Sequence, residues 1–138
     1  MEEANWQHYS AYTYPNRTAN AQLGIGFLLE EIMVWLEAGV QEAEGYRPLV
    51  IFGCHDTTLM PVMAAYDVYA EAWVPYASHI TFEVYSASSG NEFYVRMLFN
   101  ENVLPLTGSD SNGLLSWSDF ESMTSELLPV DPQTTCAV

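Results

Sequence analysis

The sequence predicts an α/β fold with an incomplete sheet: a helix, a strand and a helix, then a β-hairpin and a closing helix. Three observations predict it. Apolar residues recur at helical spacing from Ala19 to about Ala43. A short apolar run, Leu49-Val50-Ile51-Phe52, stops at Gly53 and leads through Cys54 into His55-Asp56-Thr57-Thr58 and a second helical stretch. Two alternating runs, His79 to Tyr85 and Glu92 to Phe99, flank the turn-forming Ser86-Ala87-Ser88-Ser89-Gly90-Asn91. These give three strands, few for a doubly wound sheet, which usually has roughly five or more.

Residues 1–17 form a poorly defined lead-in, aromatic and polar without a period, and Pro15-Asn16 reads as a turn. In the first helix the apolar positions that recur at helical spacing are Leu23, Phe27, Leu28, Ile32, Trp35, Leu36 and Val40. Gly24 and Gly26 weaken its front, which predicts close packing there. Gly45 with Pro48 ends it. Asp56 or Thr57 can cap the next helix, which runs through Met60, Met63 and Ala64 to about Tyr69. Pro61 falls in its first turn or so, where proline costs least. The stripe Met60, Met63, Tyr66 reads as core. In the hairpin Ile80, Phe82 and Val84 oppose Phe93, Val95, Met97 and Phe99 on the inner face, and Glu83 can pair with Arg96 on the outer one. Ser118-Asp119-Phe120-Glu121 reads as a capping box that opens the last helix, to about Leu128.

At 138 residues the chain is one domain or part of one. With 49% hydrophobic residues, nine tyrosines and four tryptophans it has enough apolar surface for a packed core. Eighteen acidic residues against three arginines and no lysine leave a net charge of −15. Such a chain repels nucleic acid and anionic membranes. The same balance serves solubility, and it suits a low-pH setting where carboxylates take up protons. Met-Glu-Glu-Ala-Asn-Trp at the start has neither the basic nor the apolar region of a signal peptide. No apolar run reaches membrane-spanning length; the longest, Ile25 to Leu36, carries Glu30 and Glu31. Asn16-Arg17-Thr18 is a glycosylation acceptor, of consequence only in a secretory compartment. Cys54 and Cys136 can pair, but Cys54 at the end of an apolar strand reads as a reduced core thiol.

The chemistry concentrates at His55-Asp56. A strand that stops there puts an imidazole and a carboxylate at its carboxyl end, the edge where open α/β sheets bind ligands. The following helix would aim its positive amino terminus at the same point, which favours an anion. Plainer roles exist for each residue: Asp56 as a helix cap, His55 as a half-buried hydrogen-bonded histidine. His79 reads as structural. A metal site from His8, His55 and His79 lacks ligand spacing, and Cys54 precedes the motif on an apolar strand, a poor place for a thiol nucleophile.

His55-Asp56-Thr57-Thr58 after an apolar strand resembles the second signature of the histidine acid phosphatases of lysosomal and prostatic type. The Leu23–Ile32 helix, Trp-Val-Pro-Tyr-Ala-Ser at 73–78, Phe82-Glu83-Val84-Tyr85, Phe93-Tyr94-Val95-Arg96 and Asp131-Pro132-Gln133-Thr134-Thr135-Cys136 resemble that family's C-terminal part in order and spacing. The likeness runs from about residue 18. It implies a partial Rossmann-like core, with residues 1–138 as the C-terminal portion of one such domain. It implies hydrolysis of phosphate monoesters through a phosphohistidine, with Asp56 as proton donor and His55 as a ligand of the phosphoryl oxygens. No cofactor or metal is implied. A lysosomal, vacuolar or secreted location and a homodimer of the full-length protein are. The family's nucleophile stands in an Arg-His-Gly motif, and no such motif occurs in this sequence; neither His8 nor His79 has an arginine beside it. The expectation is therefore a fragment that supplies half a site, with Cys136 paired, by family likeness, to a cysteine in the absent half. The alternative is a non-catalytic remnant that acts as an interaction module.

Overall fold

The structure, a computed structural model, describes residues 11–69 and 73–131; His8 and Cys136 lie outside them. Helical spacing after the Asn16 turn produces two helices rather than one, α1 (Arg17–Leu23) and α2 (Gly26–Val40). Asn16 caps α1, its Oδ1 accepting from the Ala19 N–H at 3.1 Å. The break falls where two glycines weaken the helix. Gly24 closes α1 by donating to the Asn20 carbonyl, and the Ile25 carbonyl starts α2 by accepting from Leu28 and Leu29. The expected close packing is found at Gly26. A methyl group there would stand 3.0 Å from the Leu127 carbonyl oxygen and 3.1 Å from the Pro129 nitrogen, so α2 presses against the C-terminal segment.

The predicted strand Leu49–Phe52 does not join a sheet. Among the described residues its backbone has no ladder partner, and Leu49 and Ile51 are 72% and 81% exposed. A strand is a pairing as well as a propensity; an apolar run of this kind is stable as a strand when neighbours cover it. The same openness places Cys54 at the surface, where a core thiol was expected.

Helix α3 (Asp56–Ala65) follows, with His55 as its N-cap in place of Asp56 or Thr57. It ends four residues earlier than expected, because Tyr66 caps it and Asp67 turns to a positive φ of 60°. Pro61 lies in its second turn rather than its first. Leu59, Met60, Val62, Met63, Ala64 and Ala65 are all buried, so α3 is apolar on every side and runs through the core.

The sheet is antiparallel. Strands β1 (Ile80–Ser86) and β2 (Phe93–Phe99) form the predicted hairpin, with Phe82 opposite Met97 and Glu83 opposite Arg96. Two short strands were not foreseen. β3 (Asn102–Leu104) and β4 (Leu115–Ser116) share the second edge of β2, β3 against Met97–Phe99 and β4 against Tyr94–Val95. The β2–β3 turn is Asn100-Glu101 with φ of 47° and 67° at the two residues, the left-handed pair of a tight hairpin. Helix α4 (Trp117–Ser125) closes the fold. Its cap is Ser116, two residues before the predicted one: the Ser116 hydroxyl accepts from the Asp119 N–H at 3.2 Å and donates to the Asp119 carboxylate at 2.5 Å.

These elements share one core. Tyr66 of α3 stacks on Phe120 of α4 at 5.8 Å and meets Phe82 of β1 at 6.0 Å. Val95 and Met97 of β2, Leu115 and Leu29 lie in the same apolar cluster. α3 is therefore held along its length, and the position of its first residue is fixed by the packing behind it.

Candidate active site

The candidate site sits where the uncovered apolar run meets the amino terminus of α3. His55 is in the β region, with φ −120° and ψ 168°, and its carbonyl already accepts from the Thr58 and Leu59 N–H groups at 2.9 and 3.1 Å. The Thr58 hydroxyl reaches back to the His55 N–H at 3.5 Å, the return half of a capping box. Asp56 is the first helical residue. One carboxylate oxygen, Oδ1, accepts from the Thr57 N–H at 2.8 Å, and the carboxylate lies at the positive end of the helix. His55 is exposed and Asp56 half-buried. The structure thus brings His55 and Asp56 to one helix end, adjacent and accessible.

Nothing in the sequence pattern singled out Tyr12. It stands within electrostatic reach of Asp56: burial, and then the negative charge of Asp56, push its phenol above its ordinary value. Tyr12 therefore keeps its proton through the neutral range. An open cleft of about 440 Å³ lies between Tyr12, Asn20, Leu23 and Gly24 on one side and Thr57 and Pro61 on the other; neither His55 nor Asp56 lines it. Tyr12 belongs to the aperiodic lead-in, so only the fold could bring it here.

The other candidates lie elsewhere. The backbone N–H of His79 donates to the Asn100 side chain and its carbonyl accepts from the Asn100 N–H, which pins the start of β1. Asn16 is exposed at the head of α1. Arg96 is bound to Glu83 at 2.7 Å on the outer face of the hairpin and stacks over the Tyr85 ring at 5.0 Å. Arg17 pairs with Asp67 at 3.5 Å. Arg47 is exposed in the connection before the apolar run and has no ion pair among the described residues. Among these residues no group of three His, Cys, Asp or Glu side chains forms a metal site, and no helix is long and apolar enough to cross a membrane.

Residues 3–100 match the histidine phosphatase superfamily, branch 2. The chain belongs to that superfamily. Its relatives include the lysosomal acid phosphatase of Xenopus laevis, 32% identical over 87% of this chain and 28% of the relative. The prostatic acid phosphatase of Rattus norvegicus is 28% identical over 92% of this chain and 34% of the relative. Counting factor 60 of Dictyostelium discoideum is 29% identical over 93% and 29%. The chain thus spans about a third or less of the length of these relatives. The superfamily match begins ahead of residue 18, where the sequence resemblance became legible, and takes in the segment that carries Tyr12. Helices packed on an open sheet agree with part of a histidine phosphatase α/β fold.

Proposed function

We propose that residues 1–138 are the C-terminal portion of a histidine acid phosphatase domain and carry the proton-donor half of its site. The observation that supports this reading is the juxtaposition at the head of α3: a half-buried carboxyl group at the first helical position and an exposed imidazole residue at the cap.

In the proposed reaction a histidine of the family's Arg-His-Gly segment, outside this sequence, attacks phosphorus. An N–P bond forms and the ester P–O bond breaks. Asp56 gives its proton to the departing oxygen, which otherwise leaves as an alkoxide; a placed general acid contributes roughly 10²–10⁴-fold. His55 donates a hydrogen bond to a phosphoryl oxygen, helped by the positive end of α3. The Asp56 carboxylate left behind then takes a proton from the water that splits the phosphohistidine. Arg17 and Arg96 are paired with Asp67 and Glu83, so in this reading the cationic stabilisation of the phosphoryl oxygens comes from the arginine of the Arg-His-Gly segment.

The substrate class is a phosphate monoester, and the setting is lysosomal, vacuolar or secreted, in line with the names of several relatives. In that setting the exposed Asn16 would be open to glycosylation.

The test is to co-express the chain with a polypeptide carrying an Arg-His-Gly segment and compare leaving groups. Asp56→Asn should cost about 10²-fold or more with an alkyl phosphate and much less with p-nitrophenyl phosphate, whose leaving group needs little protonation. Equal losses on both would remove Asp56 as the acid. A second reading, a non-catalytic interaction module, is supported by the uncovered apolar run; it expects no turnover from any such complex.

A further inference from the structure

The loop between β3 and β4 is set by one residue. Asp110 Oδ1 accepts from the Asn112 and Leu114 N–H groups, both at 2.8 Å, and Oδ2 accepts from the Asn112 side-chain amide at 3.4 Å. The Asp110 carbonyl accepts from the Gly113 N–H at 3.0 Å, and the Asp110 N–H donates to the Leu114 carbonyl at 2.9 Å. Gly113 is buried with a φ of 77°, and a Cβ there would collide with the Val103 side chain, so packing as well as backbone conformation demands glycine. The loop thus fixes a glycine directly after an exposed asparagine. Of the asparagines in the sequence only Asn112 precedes a glycine. Asparagine is among the thermolabile residues, and a following glycine has no side chain to keep its nitrogen from the amide.

We propose that Asn112 is a site of spontaneous deamidation that Asp110 holds in check, and that the modification, once made, releases the loop. In the reaction the Gly113 nitrogen attacks Asn112 Cγ. An N–Cγ bond forms, the Cγ–Nδ2 bond breaks, and the amide leaves as ammonia, taking up the Gly113 proton. Water then opens the five-membered imide at either carbonyl and leaves aspartate or isoaspartate. Asp110 engages both reactants in the folded loop: its carbonyl holds the Gly113 N–H and its carboxylate the Asn112 amide. The nitrogen reaches Cγ only when those bonds open, so the rate follows the open fraction of the loop. The product reverses the contact. The Asp110 carboxyl, held below its ordinary range by the Leu114 N–H first and then by Asn112, is charged at neutral pH. A second carboxylate, standing where the amide donor was, repels it. Isoaspartate also adds a methylene to the backbone between the two N–H groups that Oδ1 binds. Both changes loosen the segment that leads into Leu115, a core residue, and Ser116, the cap of α4. None of this rests on the reading of His55 and Asp56.

The experiment incubates the purified 138-residue chain at pH 7 beside a synthetic peptide of residues 106–118, and follows amide-to-acid conversion at Asn112 by peptide mapping. The chain should convert about 10-fold or more slowly than the peptide, and that retardation should match the hydrogen-exchange protection of the Gly113 amide within a few-fold. Asp110→Ala should bring the rate close to that of the peptide. Asp110→Asn, which keeps an acceptor oxygen, should hold most of the retardation. In the deamidated chain, separated by its added charge, the Leu114 amide should exchange about 10-fold faster than before. Three results overturn the inference: conversion at the peptide's rate, a folded Asp110→Ala chain that converts as slowly as the unaltered one, or a deamidated chain whose Leu114 amide is unchanged. Should Asp110→Ala fail to fold, the unaltered chain decides alone, and a retardation that does not match Gly113 exchange overturns the inference.

Discussion

Tyr66 and Thr124 make the buried polar contact that joins α3 to α4: their hydroxyls are 2.9 Å apart, and Thr124 is fully buried. Burial drives the Tyr66 phenol well above its ordinary range, and the hydrogen bond to Thr124 offsets only part of that. Removing one partner strands the other away from water. Tyr66→Phe should therefore cost about 1–3 kcal/mol, and Tyr66→Phe with Thr124→Val noticeably less than the sum of the single changes. Urea denaturation of the four proteins measures it; strictly additive losses would mean that the hydroxyls do not depend on each other. Glu83 makes the opposite case at the surface. Partial burial raises its carboxyl, but hydrogen bonds from Tyr85 and Arg96, with the charge of Arg96, outweigh burial and hold it below the usual carboxylate range. A carboxylate lowered in the folded state adds stability above its unfolded value of about 4.3 and loses it as pH falls through the folded value. Glu83→Gln should thus lower the melting temperature slightly at pH 7, and the difference should vanish in acid. A difference that persists at low pH would assign the effect to packing. The Glu83–Arg96 pair was legible in the sequence because strand alternation fixes which residues share a face.

Among the elements, legibility followed the range of the interactions that hold them. The hairpin was readable because its alternation and turn are local. The buried face of α3 was readable for the same reason. The break between α1 and α2 was not, because it depends on Gly26 meeting Leu127 and Pro129, a contact about a hundred residues away in the chain. β3 and β4 were missed because three- and two-residue strands carry no period, and Asn-Glu is not the Asn-Gly signal of a tight turn. The α4 cap shows how local patterns compete. Ser118 begins a plausible capping box, yet Ser116 sits on the strand that pairs with Tyr94, and the pairing decides where the helix starts. Ser116→Ala should accordingly cost about 0.5–2 kcal/mol and Ser118→Ala almost nothing. Denaturation midpoints of the two variants decide it; the reverse order would move the cap to Ser118.

At the scale of the molecule the sequence conveyed the family and the strand-to-helix junction that carries His55 and Asp56, but not the surroundings of that junction. His55-Asp56 was legible because the motif is short and contiguous. The openness of Leu49–Phe52 was not, because a run of strand formers looks the same whether or not its neighbours are present. Tyr12 within electrostatic reach of Asp56 was equally hidden, being more than forty residues away in an aperiodic segment. Together these features describe a folded, acidic chain with a well-packed core and a half-buried carboxylate at the head of α3. The most direct test of that account is hydrolysis of p-nitrophenyl phosphate by the purified 138-residue chain across acid pH, with Asp56→Asn alongside. The account predicts a folded chain with no turnover in either protein. Turnover by the purified chain, whether or not Asp56→Asn retains it, would contradict the account, since another group in this chain would then be acting as the nucleophile.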